Sequence, residues 1–195
     1  MGAQGHLPRL DPSRYRGEAY VLWTLSMRNR STGWLGPSFH QSFREILLHA
    51  LVREGLACRC YTLLADHFHC LWIGLHAEAD QRRAVRFLRQ EIAPHLLPVQ
   101  LQSQSHDRVL REEDRAREAV RSTVHYLAEN PVRAGLVDDP GDWPYTGALL
   151  PGYPRLPVIG EEADAHFWKL LARVREEGWP RAKGGAASDR PINRS

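Results

Sequence analysis

The spacing of hydrophobic and polar positions divides the chain into strand-like and helix-like segments. Short runs rich in β-branched and aromatic residues predict strands at 19–27, 57–64, 67–75 and 108–110. Apolar residues that recur every three or four positions predict helices at 38–54, 79–95, 115–129 and 161–175. Ala65 and Asp66 separate the second and third runs, as in a tight β-hairpin. This order predicts an α+β fold, an antiparallel sheet with a central hairpin and helices packed mainly on one face.

The pattern also predicts one domain with additional segments at both ends. Residues 1–17 lack periodicity and are expected to form a flexible arm, and 18–160 to form the domain. A C-terminal helix is expected over 161–180 and a disordered basic tail over 181–195. A length of 195 residues suits one domain, and 43% hydrophobic residues is typical of soluble globular proteins.

Cysteine content and hydropathy indicate where the protein works. There are three cysteines, at 58, 60 and 70, and no secretory signal is recognisable at the start. No apolar run approaches the roughly 18–20 residues that cross a bilayer. We therefore expect a cytoplasmic protein with no membrane partner.

Nearly all of the basic residues are arginines. The formal net charge is +3, and Lys169 and Lys183 are the only lysines among 26 basic residues. Arginine suits bidentate contacts with phosphate. A compositional bias of a GC-rich genome explains the arginines equally well.

Two pairs of polar residues have spacings that suit a reactive site. His67 and His69 lie two apart in a predicted strand, so both imidazoles point to one face and can reach one metal ion. Tyr126 and Asn130 lie four apart on a predicted helix and share a face. Tyrosine can act as a nucleophile, and an amide oxygen can bind a hard metal. On spacing alone, packed or exposed histidines and a tyrosine beside a C-capping asparagine are the commoner explanation.

Several motifs together carry a family resemblance. In chain order they are His67-Phe68-His69, the segment His106 to Arg111, the segment Tyr126 to Val137 (YLAENPVRAGLV) and Trp143-Pro144-Tyr145. Together they resemble the single-tyrosine transposases of the His-hydrophobe-His (HUH) endonuclease superfamily, and most of all the REP-associated tyrosine transposases. The chain departs from many members at 64–66, where Leu-Ala-Asp replaces Met-Pro-Asn or Met-Pro-Asp. Loss of the proline is expected to loosen that turn without removing a ligand.

The resemblance implies a reaction and roles for four residues. His67, His69 and Asn130 would hold one divalent ion, Mg²⁺ or Mn²⁺, that polarises a phosphate of single-stranded DNA. Tyr126 would attack the phosphorus, leaving a 5′-phosphotyrosine and a free 3′-hydroxyl that can later rejoin the strands. The resemblance implies that the substrate is a hairpin or repeat sequence in single-stranded DNA. It also implies that the protein is associated with the nucleoid and acts as a monomer or homodimer.

Arginines are the expected contacts to the DNA backbone. The candidates are Arg28, Arg30, Arg82, Arg86, Arg89, Arg108, Arg111 and Arg133. Trp23, Trp34 and Trp72 are possible stacking platforms for bases, although Trp72, inside a strand, is more simply a core residue.

Two alternatives remain open at this point. One is a non-catalytic relative that binds DNA hairpins without cutting them, since its binding surface would be the same. The other is a structural zinc site, because Cys58 and Cys60 would lie on the same hairpin face as the two histidines if the turn has two residues.

Overall fold

The computed structural model describes residues 10–178, without the side chain of Glu161, and in this range six antiparallel strands form one sheet. The strands are β1 Tyr20–Ser26, β2 Leu56–Leu63, β3 His67–Gly74, β4 His106–Val109, β5 Thr146–Leu150 and β6 Tyr153–Leu156. Their order in the sheet is β4-β1-β3-β2-β5-β6. The helices are α1 Pro37–Glu54, α2 Gln81–Leu96, α3 Arg117–Ala128, α4 Asn130–Arg133 and α5 Glu161–Glu177.

The predicted hairpin lies at the centre of the sheet. Thr62 on β2 pairs with His69 on β3, and the amide of Leu64 donates to the carbonyl of His67 at 2.8 Å. One irregularity interrupts the ladder, because Arg59 bulges out between Cys58 and Cys60. Since side chains alternate between faces along a strand, the extra residue places Cys58 and Cys60 on opposite faces of the sheet.

The antiparallel α+β architecture is confirmed, but the helices are divided between two faces. Helices α1 and α2 cover one face, where Trp23, Phe43 and Trp72 are fully buried. Helices α3 and α5 cover the other face, on which Val124 and Phe167 are buried. The sequence pattern predicted helices mainly on one face and did not reveal the second helical layer. The reason is that both faces of β2 and β3 are buried. A strand covered twice gives no polar face to reveal the second layer.

Strands β5 and β6 lie in the segment 138–159, which the sequence pattern does not assign to strands. β6 has four residues and contains Pro154, which suits its place at the edge of the sheet. β5 pairs with β2 and so extends the sheet on that side of the central hairpin.

Part of the expected N-terminal arm is packed. Pro12–Tyr15 form a 3₁₀ turn, and the Tyr15 ring is fully buried against Trp23 at a centroid distance of 5.7 Å. The Tyr15 hydroxyl donates to Asp107 on β4. A buried aromatic ring with a satisfied hydroxyl therefore ties residues 12–17 to the sheet.

Other expectations concern segments at the ends of the chain. The predicted tail over 181–195 and the first nine residues of the predicted arm lie outside the described residues. Within residues 10–178, no helix has the length and apolar character needed to cross a bilayer.

Candidate functional site

The two histidines open onto the face of the sheet that α3 covers. On β3, His67 and His69 alternate with Phe68 and Cys70, which are buried on the opposite face. The two imidazole rings lie 4.9 Å apart between centroids and are nearly perpendicular. Both side chains are only partly buried. The spacing therefore places both rings together at the end of a rigid central strand.

Both imidazoles are anchored through the same ring nitrogen. His67 Nδ1 lies 2.6 Å from Asp66 Oδ1, and His69 Nδ1 lies 2.9 Å from Thr24 Oγ1 on β1. When each Nδ1–H donates, the Nε2 lone pairs are free to bind a ligand. Metal-binding histidines commonly have their other ring nitrogen held in this way.

The environment keeps His69 neutral. Burial lowers the pKa of His69 to about 4, and the nearby charges of His67 and Arg133 act in the same direction. An unprotonated imidazole at neutral pH is the form that binds a metal ion.

Asp66 organises the turn before the histidines. Its carboxylate accepts from His67 and forms an ion pair with Arg30 at 3.2 Å, while its carbonyl accepts the amide of Met27 at 2.8 Å. The turn at 65–66 is thus held by hydrogen bonds and by an ion pair to the segment after β1.

Tyr126 and Asn130 lie where α3 ends and α4 begins. The Tyr126 side chain is 57% exposed, and Asn130 is partly buried. Pro131 occupies the first turn of α4, where its missing N–H removes no helical hydrogen bond. Because the helix breaks after Ala128, Tyr126 lies in the last turn of α3 and Asn130 is the first residue of α4.

Arg133 joins these two residues. Its guanidinium lies over the Tyr126 ring at 4.0 Å and donates to Asn130 Oδ1 at 2.7 Å and to the Tyr126 carbonyl at 2.6 Å. It is also close enough to His69 to lower the pKa of that imidazole. Arg133 therefore contacts both the tyrosine and the asparagine, and its charge acts on His69.

The side chains of His67, His69 and Asn130 provide some, but not all, of the ligands of one divalent ion. Two imidazole nitrogens and one amide oxygen suit a borderline or hard ion, and they leave further coordination positions for phosphate oxygens and water. Asn130 Oδ1 accepts from Arg133, so a metal ion bound through that oxygen would lie close to the guanidinium charge. Residues 10–178 contain no group of three or more His, Cys, Asp or Glu side chains arranged to hold a metal.

The other arginines predicted to contact DNA lie in three places. They are Arg28 and Arg30 after β1, Arg82, Arg86 and Arg89 on α2, and Arg108 and Arg111 at β4 and just beyond it. Arg89 donates to Ser105 at 3.0 Å and to two loop carbonyls, so it holds the loop that precedes β4. Arg108 and Arg111 are exposed and pair with Asp114 and Glu113. A DNA contact for any of these residues remains a prediction.

The tryptophans are unsuited to stacking with bases. Trp23 and Trp72 are fully buried, and Trp34 is 8% exposed. The interpretation of Trp72 as a core residue is confirmed. All three rings pack in the core between the sheet and helices α1 and α2.

The structure also contradicts the zinc alternative. Because of the bulge at Arg59, Cys58 lies on the face opposite the histidines. Cys60 lies on the histidine face but is fully buried among apolar side chains. Burial raises the pKa of both thiols, which disfavours the thiolate that zinc requires.

Sequence reasoning missed two supporting residues of this site. Asp66 directly precedes His67, so the sequence itself could have suggested that its carboxylate binds the His67 imidazole. Thr24 lies 45 positions before His69, and only the pairing of β1 with β3 brings it to the imidazole.

Comparison with known proteins shows that the chain shares its overall fold with a solved structure. No protein-family model matches the chain, and no curated protein matches it in sequence. A solved structure of a REP-associated tyrosine transposase bound to a REP hairpin aligns with it at a TM-score of 0.60 and 21% identity. The alignment covers 73% of this chain and 82% of the other. The resemblance inferred from the motifs is thus confirmed at the level of the fold: this chain has the α+β fold of a REP-associated tyrosine transposase.

Proposed function

We propose that the protein is a metal-dependent single-stranded DNA endonuclease and strand transferase that acts at hairpin or repeat sequences. The observation that carries this proposal is the pair His67 and His69, each anchored through Nδ1 and with its Nε2 available to a ligand. The same fold occurs in a transposase bound to a REP hairpin. A cytoplasmic, nucleoid-associated location follows from such a substrate.

The proposed chemistry forms a covalent intermediate. The Tyr126 oxygen attacks the phosphorus in line and the P–O3′ bond breaks. The phenolic proton is lost, and the departing 3′ oxygen gains one to become a hydroxyl. The product is a 5′-phosphotyrosine, and the reverse attack by a 3′-hydroxyl rejoins the strands without an external energy source.

The metal site would consist of His67, His69 and Asn130. A bound Mg²⁺ or Mn²⁺ would supply charge stabilisation and orientation to the scissile phosphate. Asp66 and Thr24 keep the imidazoles oriented, and the low pKa of His69 keeps that ligand unprotonated at neutral pH. The exposure of Tyr126 allows a polymeric substrate to reach the phenol.

The test is covalent trapping on DNA. Hairpin oligonucleotides with single-stranded flanks are incubated with Mn²⁺ or with EDTA and separated on denaturing gels. We expect an adduct with the wild-type chain in Mn²⁺ and none with Tyr126→Phe. Tyr153→Phe, which alters a tyrosine on β6, serves as the matched control and retains the adduct.

A second candidate function is favoured by one contact. Arg133 donates to Asn130 Oδ1, one of the expected metal ligands, and so places a positive charge where the metal ion would bind. A protein in which this contact persists would bind DNA hairpins without cutting them. Tight binding of the hairpin by the wild-type chain, with no adduct in Mn²⁺ or Mg²⁺, would establish this function and exclude the nuclease.

A further inference from the structure

A third histidine lies on the same face of the sheet as the histidine pair. On the edge strand β4, His106 is directly opposite Thr24 of β1, and Thr24 is directly opposite His69 of β3. Residues that are directly opposite in an antiparallel ladder point to the same face. His106, Thr24 and His69 therefore form one row across the sheet, on the face that α3 covers in part.

The His106 imidazole is exposed and has no partner. Within residues 10–178 it makes no hydrogen bond, ion pair or ring contact, and it has no part in the chemistry proposed above. Its nearest neighbours on this face of β1 and β4 are Leu22, Thr24, Ser26 and Arg108. Of these side chains, only the imidazole can both release and take up a proton near neutral pH.

The helix that carries Tyr126 lies on the other side of the histidine pair. Helix α3 packs against β2, which flanks β3 on the side away from β1 and β4. The segment after α4 is fixed to the same strand, because Trp143 Nε1 donates to the Leu63 carbonyl at 2.8 Å and the Leu63 amide donates to the Tyr145 carbonyl at 3.0 Å. Tyr126 thus reaches the pair from the β2 side, whereas His106 faces it from the β4 side.

This arrangement matches the geometry of an in-line displacement. The attacking and leaving oxygens lie on opposite sides of the phosphorus in such a reaction. When Tyr126 attacks a phosphate at the histidine pair from the β2 side, the 3′ oxygen departs toward β1 and β4. Since β4 lies two strands from β3, the backbones of His106 and His69 are about 10 Å apart, and the departing oxygen lies in the space between them.

We propose that His106 is the catalytic residue that donates a proton to the departing 3′ oxygen. The inference rests on the proposed function and adds a residue to it. As the bond from the Tyr126 oxygen to phosphorus forms and the P–O3′ bond breaks, the protonated imidazole of His106 transfers one proton to O3′ and becomes neutral. The phenolic proton passes to water. In the rejoining step, the neutral imidazole takes the proton from the attacking 3′-hydroxyl.

The test compares two leaving groups at the cleavage position. That position is first mapped with the wild-type chain on an ordinary hairpin oligonucleotide. A second hairpin then carries sulfur in place of the bridging 3′ oxygen at the same linkage, because a thiolate departs without needing a proton. The variants are His106→Gln and His106→Ala, and His166→Gln, an exposed histidine on α5, is the matched control.

We expect both His106 variants to form the adduct on the oxygen substrate about 100-fold more slowly than the wild type, which is typical of the loss of a general acid. On the sulfur substrate, their rates should be close to that of the wild type. Hairpin affinity, from fluorescence anisotropy, and Mn²⁺ affinity, from electron paramagnetic resonance, should stay unchanged in both. His166→Gln should behave as the wild type on both substrates.

Several results would overturn the proposal. Wild-type rates of the His106 variants on the oxygen substrate would exclude a role for this imidazole, and an equal slowing on both substrates would show that it does not act by donating a proton. A loss of Mn²⁺ affinity in the variants would identify it as a ligand instead. In these cases the wild-type adduct keeps the proposed function intact, whereas no adduct from any of the proteins on either substrate would overturn both.

Discussion

Arg133 is the residue on which the state of the candidate site depends. It lies over the Tyr126 ring and donates to Asn130 Oδ1, so one guanidinium contacts both the proposed nucleophile and a proposed ligand. A cation at this position repels a second cation. It also offers a phosphate group a bidentate partner once Asn130 is released.

Replacing Arg133 with alanine is expected to strengthen metal binding while weakening DNA binding. The substitution frees Asn130 Oδ1 and removes a positive charge near His69, so Mn²⁺ affinity should rise severalfold. The measurement is the free Mn²⁺ signal in electron paramagnetic resonance titrations. Arg155→Ala, on the edge strand β6 and outside the predicted DNA contacts, is the control. A fall in Mn²⁺ affinity for Arg133→Ala would contradict this role.

At the scale of elements, the bulge in β2 connects the sheet to α5. The Arg59 side chain is 1% exposed and forms an ion pair with Asp164 at 3.0 Å, with the Phe167 ring 4.9 Å away. A buried guanidinium of this kind depends on its carboxylate, because removal of one partner leaves an uncompensated buried charge.

Asp164→Asn is therefore expected to destabilise the protein by about 3 kcal/mol. The double replacement Arg59→Met with Asp164→Leu should recover most of that loss, since no charge then remains buried. Urea unfolding measures both. As a control on the same helix, Arg173→Met removes an exposed pair with Glu177 and should cost less than about 0.5 kcal/mol. Equal losses for Asp164→Asn and Arg173→Met would exclude the buried pair as a stabilising contact.

A second element-level contact makes stability depend on pH. His40 Nε2 on α1 is hydrogen-bonded to the Tyr61 hydroxyl at 3.0 Å, and Arg44 donates to the same oxygen at 2.7 Å. Burial lowers the pKa of His40 from 6.5 to about 4, and the charge of Arg44 adds to this effect. Between about pH 6.5 and pH 4 the unfolded chain therefore takes up a proton at His40 that the folded chain does not.

Wild-type stability should fall relative to His40→Gln as the pH decreases. Between pH 7 and pH 5 the difference in unfolding free energy between the two proteins is expected to shift by about 1–2 kcal/mol against the wild type. Glutamine can keep a hydrogen bond to Tyr61 but does not titrate. Parallel urea titrations at both pH values provide the test, and identical pH dependence of the two proteins would rule the effect out.

At the scale of the whole molecule, the balance of charge depends on the end of the chain. The segment 179–195 carries four basic residues and one acidic residue, a net charge of +3 that equals the formal net charge of the entire chain. Residues 1–178 are therefore neutral overall, and their arginines act locally. Non-specific attraction to DNA, which depends on total charge, should come largely from this terminal segment.

Neutralising that segment should reduce salt-dependent binding without removing cleavage. We expect replacement of Arg181, Lys183, Arg190 and Arg194 by glutamine to make the dependence of log affinity on log salt shallower by about 2–3. Formation of the Tyr126 adduct on hairpin DNA should persist at low salt. Binding isotherms at several salt concentrations measure the slope, and an unchanged slope would show that the charge of this segment does not contact DNA.

Local patterning accounts for the parts of the site that lie within one element. The two-residue period of a strand places His67 and His69 on one face, and the short turn at 65–66 sets the register that pairs Thr62 with His69. Helical periodicity locates α1, α2, α3 and α5 to within a few residues. These features depend on backbone geometry and on neighbours close in sequence, so a single chain reveals them.

The remaining features of the site and of the sheet depend on contacts between residues far apart in the sequence. The bulge at Arg59 moves Cys58 to the opposite face because a buried ion pair with a helix more than 100 residues later stabilises it. The pairing of β1 with β3 brings Thr24 to His69, which lies 45 residues later in the chain. No local pattern carries these contacts, since each joins segments whose proximity exists only after the sheet and its two helical layers have formed.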